Sequence, residues 1–512
     1  MTETRTIKFL QRLLLFSMAV IFLAQFSFSL HWRQFLDTPL LNYTGFLINE
    51  HERIPYKEIF ETSMPGTLLF HSILGKTLGY SDFSVRIADS FFLLSAMLLI
   101  FLILKAFHLR QALFAALLFG LTHLSFGSKM ALQRDFIGAT AILGAVYLAM
   151  LAGNRTKTKA FLLQFSSGIL IGTAAAFKPH LAICLPFLAW HLKHSEQPFK
   201  SFFKHLVILS CGAILSFSIP MVWLWHLGGL PEFVDIFTNY LPLHTQIGHD
   251  FTLVQWPEKL WYAIGGLFIM NDHLLLTVLA LAGIFFGLKG SESHRQNQVK
   301  LLITCFFLYF VYPAISGQFW FYHWTPFFIF AAISASFMLC PSGFGSPIEQ
   351  AVRILALTIL LPLAVGWSTE FSLQIRGLPL EPPLSGVPDQ IASFLKKNLQ
   401  PGQTVQSLDW VNGAIHGLLI AKVPISTRFL YDYHFTHHLS RPYIKNLRLE
   451  FLKALQHSPP DYIIFVFVKS RVTGPDTSQE FPELGRFIFS NYKMIEKTQN
   501  FGIFRKITES TR

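Results

Sequence analysis

Four stretches of this chain carry side chains that hydrophobic packing does not call for. The first opens with Asp37, which lies seven residues past a long apolar run. It continues through Tyr56, Glu58, Glu61 and Met64-Pro65-Gly66 to Gly79-Tyr80-Ser81-Asp82-Phe83-Ser84-Val85-Arg86. A carboxylate held near a membrane surface can take the proton of an attacking hydroxyl. The plainer reading is that Asp37 caps a loop helix beginning at Thr38-Pro39. The second and third stretches are basic turns, Lys129 with Gln133-Arg134-Asp135, and Lys178-Pro179-His180. Two such turns on one face can hold a lipid phosphate; the alternative is ordinary snorkelling of long cations at an interface. The fourth runs from Ser316 to Pro326. Its Tyr322 and His323 can donate hydrogen bonds to a phosphate, whereas Trp320 and Trp324 read as an aromatic belt.

Other signals weigh less. His434, His437 and His438 have helical metal-ligand spacing, but Asp432 is the one carboxylate near them, and they read as a surface loop. Asn42-Tyr43-Thr44 matches a glycosylation sequon by pattern. No cytoplasmic connection carries a paired Asp-x-Asp, and there is no strand–GxGxxG–helix or P-loop. A soluble nucleotide-activated donor therefore has no evident site, and a lipid-borne donor stays open.

The elements that must position these residues are membrane spans. Of 512 residues 52% are hydrophobic and 14% charged, against roughly 25% charged in soluble domains. The charges cluster between apolar runs of bilayer-spanning length, and 54 phenylalanines suit lipid-facing helix surfaces. The net charge of +12 comes mostly from Lys and Arg at the ends of those runs, which points to membrane topology rather than to nucleic acid. Cys184, Cys211, Cys305 and Cys340 sit in or beside apolar spans and read as small hydrophobes. Arg5, Lys8 and Arg12 precede the first run, and His31-Trp32-Arg33 follows it in place of a small-residue cleavage site, so the run is expected to be a retained span.

About eleven spans are expected: Phe9–Leu30, Ser84–Phe107, Gln111–Phe126, Asp135–Ala152, Ala160–Phe177, Pro179–Leu192, Lys204–Leu227, Asp272–Leu288, Val299–Ile315, Phe319–Leu339 and Gln350–Trp367. With the N-terminus inside, basic clusters fall on the cytoplasmic connections and the C-terminus ends outside. All four chemical stretches then share the outer face. The outer connections include the long first loop (31–83) and Gly228–Asn271. The expected fold is a mainly α polytopic bundle over residues 1–370, a linker at 371–387, and a small α/β extracytoplasmic domain at 388–512. In that domain Pro388–Asn398 and Arg441–His457 read as helices. Thr404–Leu408, Tyr462–Val468 and Met494–Arg505 read as strands, the last with a turn at Gln499–Gly502.

The acid soon after the first span, the loop with Tyr56-Lys57-Glu58 and Pro65, and then Gly79-Tyr80-Ser81 and Arg86-Ile87-Ala88-Asp89-Ser90 resemble the GT-C superfamily of membrane glycosyltransferases. The group they resemble most is the dolichyl-phosphate-mannose–protein mannosyltransferase-like one. The Gln-Arg-Asp turn, Lys178-Pro179 and Tyr322-His323 extend the resemblance over residues 9–370. It implies a sugar donor carried on a polyprenyl phosphate and inverting transfer on the outer face of a bacterial inner membrane. The acceptor would be a lipid, glycan or protein, with or without a divalent metal. Asp37 would be the general base, with Glu58 or Glu61 as a second acid. Lys129, Arg134, Lys178, His180, Tyr322 and His323 would hold the donor phosphate. The chain departs from the group at Asp37-Thr38, where many members have Asp-Glu, and at Ser63-Met64-Pro65-Gly66, where many have Lys before a Pro pair. A lipid-linked glycan polymerase or ligase would be expected to elaborate a late outer loop rather than the first. A transporter would be expected to show repeat halves, and a membrane scaffold would leave the charged turns without a purpose.

Overall fold

The computed structural model describes residues 5–153, 156–193, 197–246, 256–269, 271–290, 295–316, 320–339, 352–358, 369–378, 380, 382–467 and 476–507. Their packing divides the chain into two compact units. The first comprises Met1–Trp32, Arg86–Ile219 and Gln255–Leu378; the second comprises Arg33–Val85, Pro220–Val254 and Pro379–Arg512. The first loop is grouped with the C-terminal segment in the second unit.

The first unit is helical. Among the described residues, seven helices are long and apolar enough to cross a membrane: Arg5–Ser29, Asp82–Lys105, Arg134–Ala152, Lys157–Phe177, Pro198–Leu227, Gln296–Ser316 and Phe321–Leu339. Leu109–Ser125 and Leu274–Lys289 are shorter apolar helices. Their outer surfaces expose Phe9, Phe16, Phe91 and Phe199, a burden that lipid relieves and water does not. This is a multi-pass integral membrane protein. Helix Lys157–Phe177 packs backbone to backbone on Pro198–Leu227: a Cβ on Gly168 would lie 2.2 Å from the Leu209 carbonyl, and one on Gly172 2.0 Å from that of Ala213. This is the close approach that small residues four apart permit.

Two expected elements differ. Pro179–Leu192 is not a continuous helix. It is a 3₁₀ turn at Pro179–Cys184 followed by a short helix at Leu185–His191, since Pro179 and Pro186 withhold backbone donors. The stretch Gly228–Asn271 is not simply a loop. It holds Leu230–Asp235, a π-helical turn at Ile236–Tyr240, Leu241–His244 and a 14-residue helix at Trp256–Ile269. The expected span Gln350–Trp367 lies largely outside the described residues, as does Cys340.

The second unit is built on a four-stranded sheet of order β1-β2-β4-β3, with β1 (Val405–Leu408), β2 (Tyr462–Val466), β3 (Tyr492–Lys497) and β4 (Phe501–Lys506). β1 and β2 run parallel, and the other pairs are antiparallel. Successive side chains of a strand point to opposite faces. Tyr462, Ile464 and Val466 accordingly join one core, with Ile391, Leu395, Leu418 and the first-loop residues Leu40, Tyr43, Phe46 and Leu47. Ile463 and Phe504 join another, with Phe60, Phe435, Phe451 and Ile488. A sheet covered on both faces explains the unbroken apolar run in β2. The helices Val387–Asn398 and Pro442–His457 match expectation, whereas Asp37–Glu50, Ala414–Ala421 and Pro482–Asn491 complete the layers. Hydrogen bonds tie the first loop down: Tyr43 Oη donates to the Val423 carbonyl at 2.7 Å, and the Phe60 amide to that of Arg428 at 2.7 Å.

Candidate active site

In the second unit, helix Asp37–Glu50 starts at Asp37 itself. Its flanking residue is Leu36, at φ 54° and ψ −121°, and that residue supplies no side-chain cap. Asp37 is therefore the first helical residue rather than the expected cap, and its negative charge suits the helix N-terminus. The Leu36 backbone is strained by about 1–3 kcal/mol, a cost that clusters at functional sites. Glu61 is 2% exposed, and its Oε1 accepts from the Thr62 amide at 2.8 Å, the Ser63 amide at 3.0 Å and Ser63 Oγ at 2.9 Å. Burial, then the charges of Glu61 and Asp37, push the Tyr431 phenol far above its usual range, so both acids act on one buried tyrosine. Glu58 is exposed, and its carboxylate accepts from the Ile54 amide four residues back.

Beside Asp37 runs an ionic chain. Arg33, nearly buried, holds Asp389 through two bonds of 2.7 and 3.1 Å and Asp82 through one of 3.1 Å. Burial alone would lower the Arg33 pKa, but the two carboxylates outweigh it and raise it. Asp82 also accepts from the Gln34 amide at 2.9 Å and lies 3.2 Å from His416 Nε2. These contacts fix the backbone three residues ahead of Asp37. A cavity of about 440 Å³ is lined by Gln34, Phe35, Leu36 and Pro39, and by Trp410, Asn412 and His416.

In the first unit, several of the expected cations meet a carboxylate. Asp135 is fully buried; it receives Lys178 Nζ at 3.0 and 3.2 Å and Tyr312 Oη at 2.5 Å, and His323 Nε2 lies 4.0 Å away. Arg134 and His180 interact electrostatically with the same carboxylate. Lys129 Nζ sits 4.9 Å over the Phe321 ring, and Phe321 stacks edge-on with Tyr322. Tyr322, His323 and Trp324 are all buried, so Trp324 does not belong to an aromatic belt. The neighbouring Gly317, Gln318 and Phe319 lie outside the described residues. Sequence reasoning missed Tyr312, which lies inside an apolar run, and a second buried centre. There Arg86 binds Asp89 at 2.7 Å and Ser29 at 2.8 Å, while the Leu132 amide and His123 reach the same carboxylate at 2.6 and 3.6 Å. Leu132 has φ 54°, so this bond is made by a strained backbone.

The remaining expectations change. His434 and His437 are buried rather than on a surface loop. His434 pairs with Tyr240 at 2.6 Å, His437 with Thr436 at 2.9 Å and His438 with the Leu243 carbonyl at 3.0 Å, so the three turn to different partners. Asn42 is fully buried and donates to Gln34 and to the Tyr80 carbonyl, which closes the sequon to modification. Among the described residues no three His, Cys, Asp or Glu side chains form a metal-ligand set.

The family model for dolichyl-phosphate-mannose-protein mannosyltransferase matches residues 64–223. A search of the curated proteins finds no significant sequence match. The fold is similar to that of ArnT from Cupriavidus metallidurans bound to undecaprenyl phosphate, with a TM-score of 0.62 and 12% identity over 96% of this chain and 98% of that one. The apo state of the same protein gives 0.58 and 13%, over 96% and 97%. The archaeal oligosaccharyltransferase AglB from Archaeoglobus fulgidus, in complex with an inhibitory peptide and a dolichol-phosphate, gives 0.50 and 13%, over 88% of this chain and 69% of that one. Residues 64–223 are thus similar to the mannosyltransferase family, and the likeness along nearly the whole chain shows an ArnT-like fold, with a helical membrane unit and a small α/β unit.

Proposed function

We propose that this protein transfers a sugar from a polyprenyl-phosphate donor to a hydroxyl of a lipid, glycan or protein acceptor, with inversion, on the outer face of a bacterial inner membrane. The observation that carries the reading is an acid at a strained helix start, Asp37, with a cavity lined by residues on both sides of it in sequence. The undecaprenyl phosphate of the ArnT structure and the dolichol-phosphate of the AglB structure support a lipid-linked donor.

In the reaction, the acceptor oxygen forms a bond to C1 of the sugar while its proton passes to the Asp37 carboxylate. The bond from C1 to the phosphate oxygen breaks, and its electron pair leaves with the polyprenyl phosphate. Because the donor already carries a good leaving group, placement and charge stabilisation suffice. Lys129, Arg134, Lys178, His180, Tyr322 and His323 are assigned to the phosphate. Fixed cations in a site with little water act strongly where negative charge grows, and Asp135 keeps Lys178 oriented. Of the two further acids, burial favours Glu61 over Glu58; Glu61 orders the loop near Asp37. No step is routed through a metal.

The test is transfer of radiolabel from a polyprenyl-phosphate sugar pool in membranes, comparing the wild type with Asp37→Asn. Label reaching an acceptor only in the wild type supports both reaction and base. Equal transfer in both removes Asp37 from the mechanism, and no transfer in either removes the donor class.

A further inference from the structure

At the far end of the Arg134–Ala152 helix from Asp135, the first unit holds a second concavity. Its lining includes Met150 and Ala152, about 25 Å along the helix from Asp135 at 1.5 Å per residue. It has a volume of about 690 Å³. Among the described residues it is lined by Lys157, Lys193, Lys204 and Arg295, with His191 and His205, and by no Asp or Glu. These cations come from three separated stretches of the chain, at or near helix ends. The tendency of basic residues to gather on cytoplasmic connections explains their sign and number. It does not explain why they converge on one cavity, nor why that cavity has a polar floor. Gln164 and His205, 5% and 6% exposed, pair there through Oε1 and Nδ1 at 2.8 Å. Beside them Arg295 is braced by a 3.1 Å bond to the Phe107 carbonyl. Cations gathered around one hollow make it attractive to an anion.

We propose that this cavity binds a phosphate-bearing anion, supplied either by the headgroup of an anionic phospholipid or by a soluble phosphate. Basic pockets between membrane helices suit phospholipid headgroups, and guanidinium and ammonium groups match phosphate oxygens in charge and geometry. The site stands apart from the Asp135 cluster and does not depend on the transfer reaction.

The test uses the full chain in nanodiscs of phosphatidylcholine with graded phosphatidylglycerol, and separately in phosphatidylcholine discs titrated with inorganic phosphate. Thermal unfolding is the readout. In the wild type, one of the two ligands raises the midpoint saturably. The Lys157→Gln/Lys204→Gln/Arg295→Gln variant needs about 100-fold more of it, from roughly five-fold per cation. Lys193→Gln alone, the milder change should the triple variant fail to fold, needs about five-fold more. Lys8→Gln/Arg12→Gln removes cations outside the cavity and responds as the wild type does. Saturation by phosphatidylglycerol assigns a lipid headgroup, and saturation by inorganic phosphate assigns a soluble ester. No stabilisation by either, or an equal response of the cavity variants and the Lys8/Arg12 control, overturns the proposal.

Discussion

The Asp135–Lys178 pair makes a sharp energetic prediction. Asp135 has no exposed surface and Lys178 is 17% exposed, so neither charge can turn to bulk water when its partner is lost. Breaking a buried pair from one side costs about 3–5 kcal/mol, because it strands the other charge. Asp135→Asn and Lys178→Met should each fall in that range. Their combination leaves two neutral groups of nearly native volume, and neutral replacements of buried pairs are often tolerated. The double variant should therefore be no worse than either single one. That corresponds to a coupling energy of about 3 kcal/mol or more, at the top of the range for neighbouring residues. Tyr312→Phe deletes the 2.5 Å bond to the same carboxylate and should cost about 1.5–3 kcal/mol, as for a hydrogen bond to a charged group. Equilibrium unfolding in micelles titrated with a denaturing detergent gives all four free energies. Additivity of the two single changes to within about 0.5 kcal/mol would mean that the charges do not sense each other, and the assignment of Asp135 as the holder of Lys178 would fail.

Three further outcomes are expected. Asp37→Asn should slow transfer by about 10²–10⁴-fold, the usual contribution of a general base, yet shift stability by under about 1 kcal/mol, its share as a helix-start charge. Glu58→Gln should leave both unchanged, so parallel rate and melting measurements that show a matched loss of rate and fold for Asp37→Asn would count against a catalytic role. Gly172→Leu should push apart the two helices whose backbones meet there and cost about 1–3 kcal/mol by overpacking, read as a fall in the detergent unfolding midpoint; an unchanged midpoint contradicts the close approach. His434 is buried, and its pKa is held well below the usual value, by burial first and then by the nearby His244, Arg428 and His437. Below about pH 6.5 the unfolded chain takes up a proton that the folded chain refuses, so stability should fall with pH by up to about 1.4 kcal/mol per unit. In His434→Gln the decline should be shallower, and an identical slope in both proteins would exclude His434 as its source.

The spans are legible in the sequence because water-soluble folds rarely need apolar runs of bilayer length with charged ends. The expected Asp135–Ala152 lies within one residue of the helix found, Arg134–Ala152. Hydropathy fails where proline breaks the chain, at Pro179 and Pro186, because it counts apolar residues and not backbone donors. It fails again at Asp37–Glu50, whose all-round burial in the second unit erases the one-sided pattern that marks a surface helix. Candidate cations are visible as charges in tight turns. Their shared partner is less visible, since Asp135 reads as part of a turn and Tyr312, 177 residues away, reads as filler in an apolar span. Nor does spacing separate Glu58 from Glu61; burial does.

The second unit draws on three separated stretches of chain, and this has a consequence in time. Leu40, Tyr43, Phe46 and Leu47 find their core among residues after 379. Roughly 330 residues of synthesis lie between the two, or about 17–66 s at ribosomal rates of ~5–20 residues per second. Throughout that interval the first loop presents an apolar helix face with no cover of its own. A chain stopped short of the last segment would keep that face bare permanently, which makes it a ready mark by which a cell can tell an unfinished copy from a complete one.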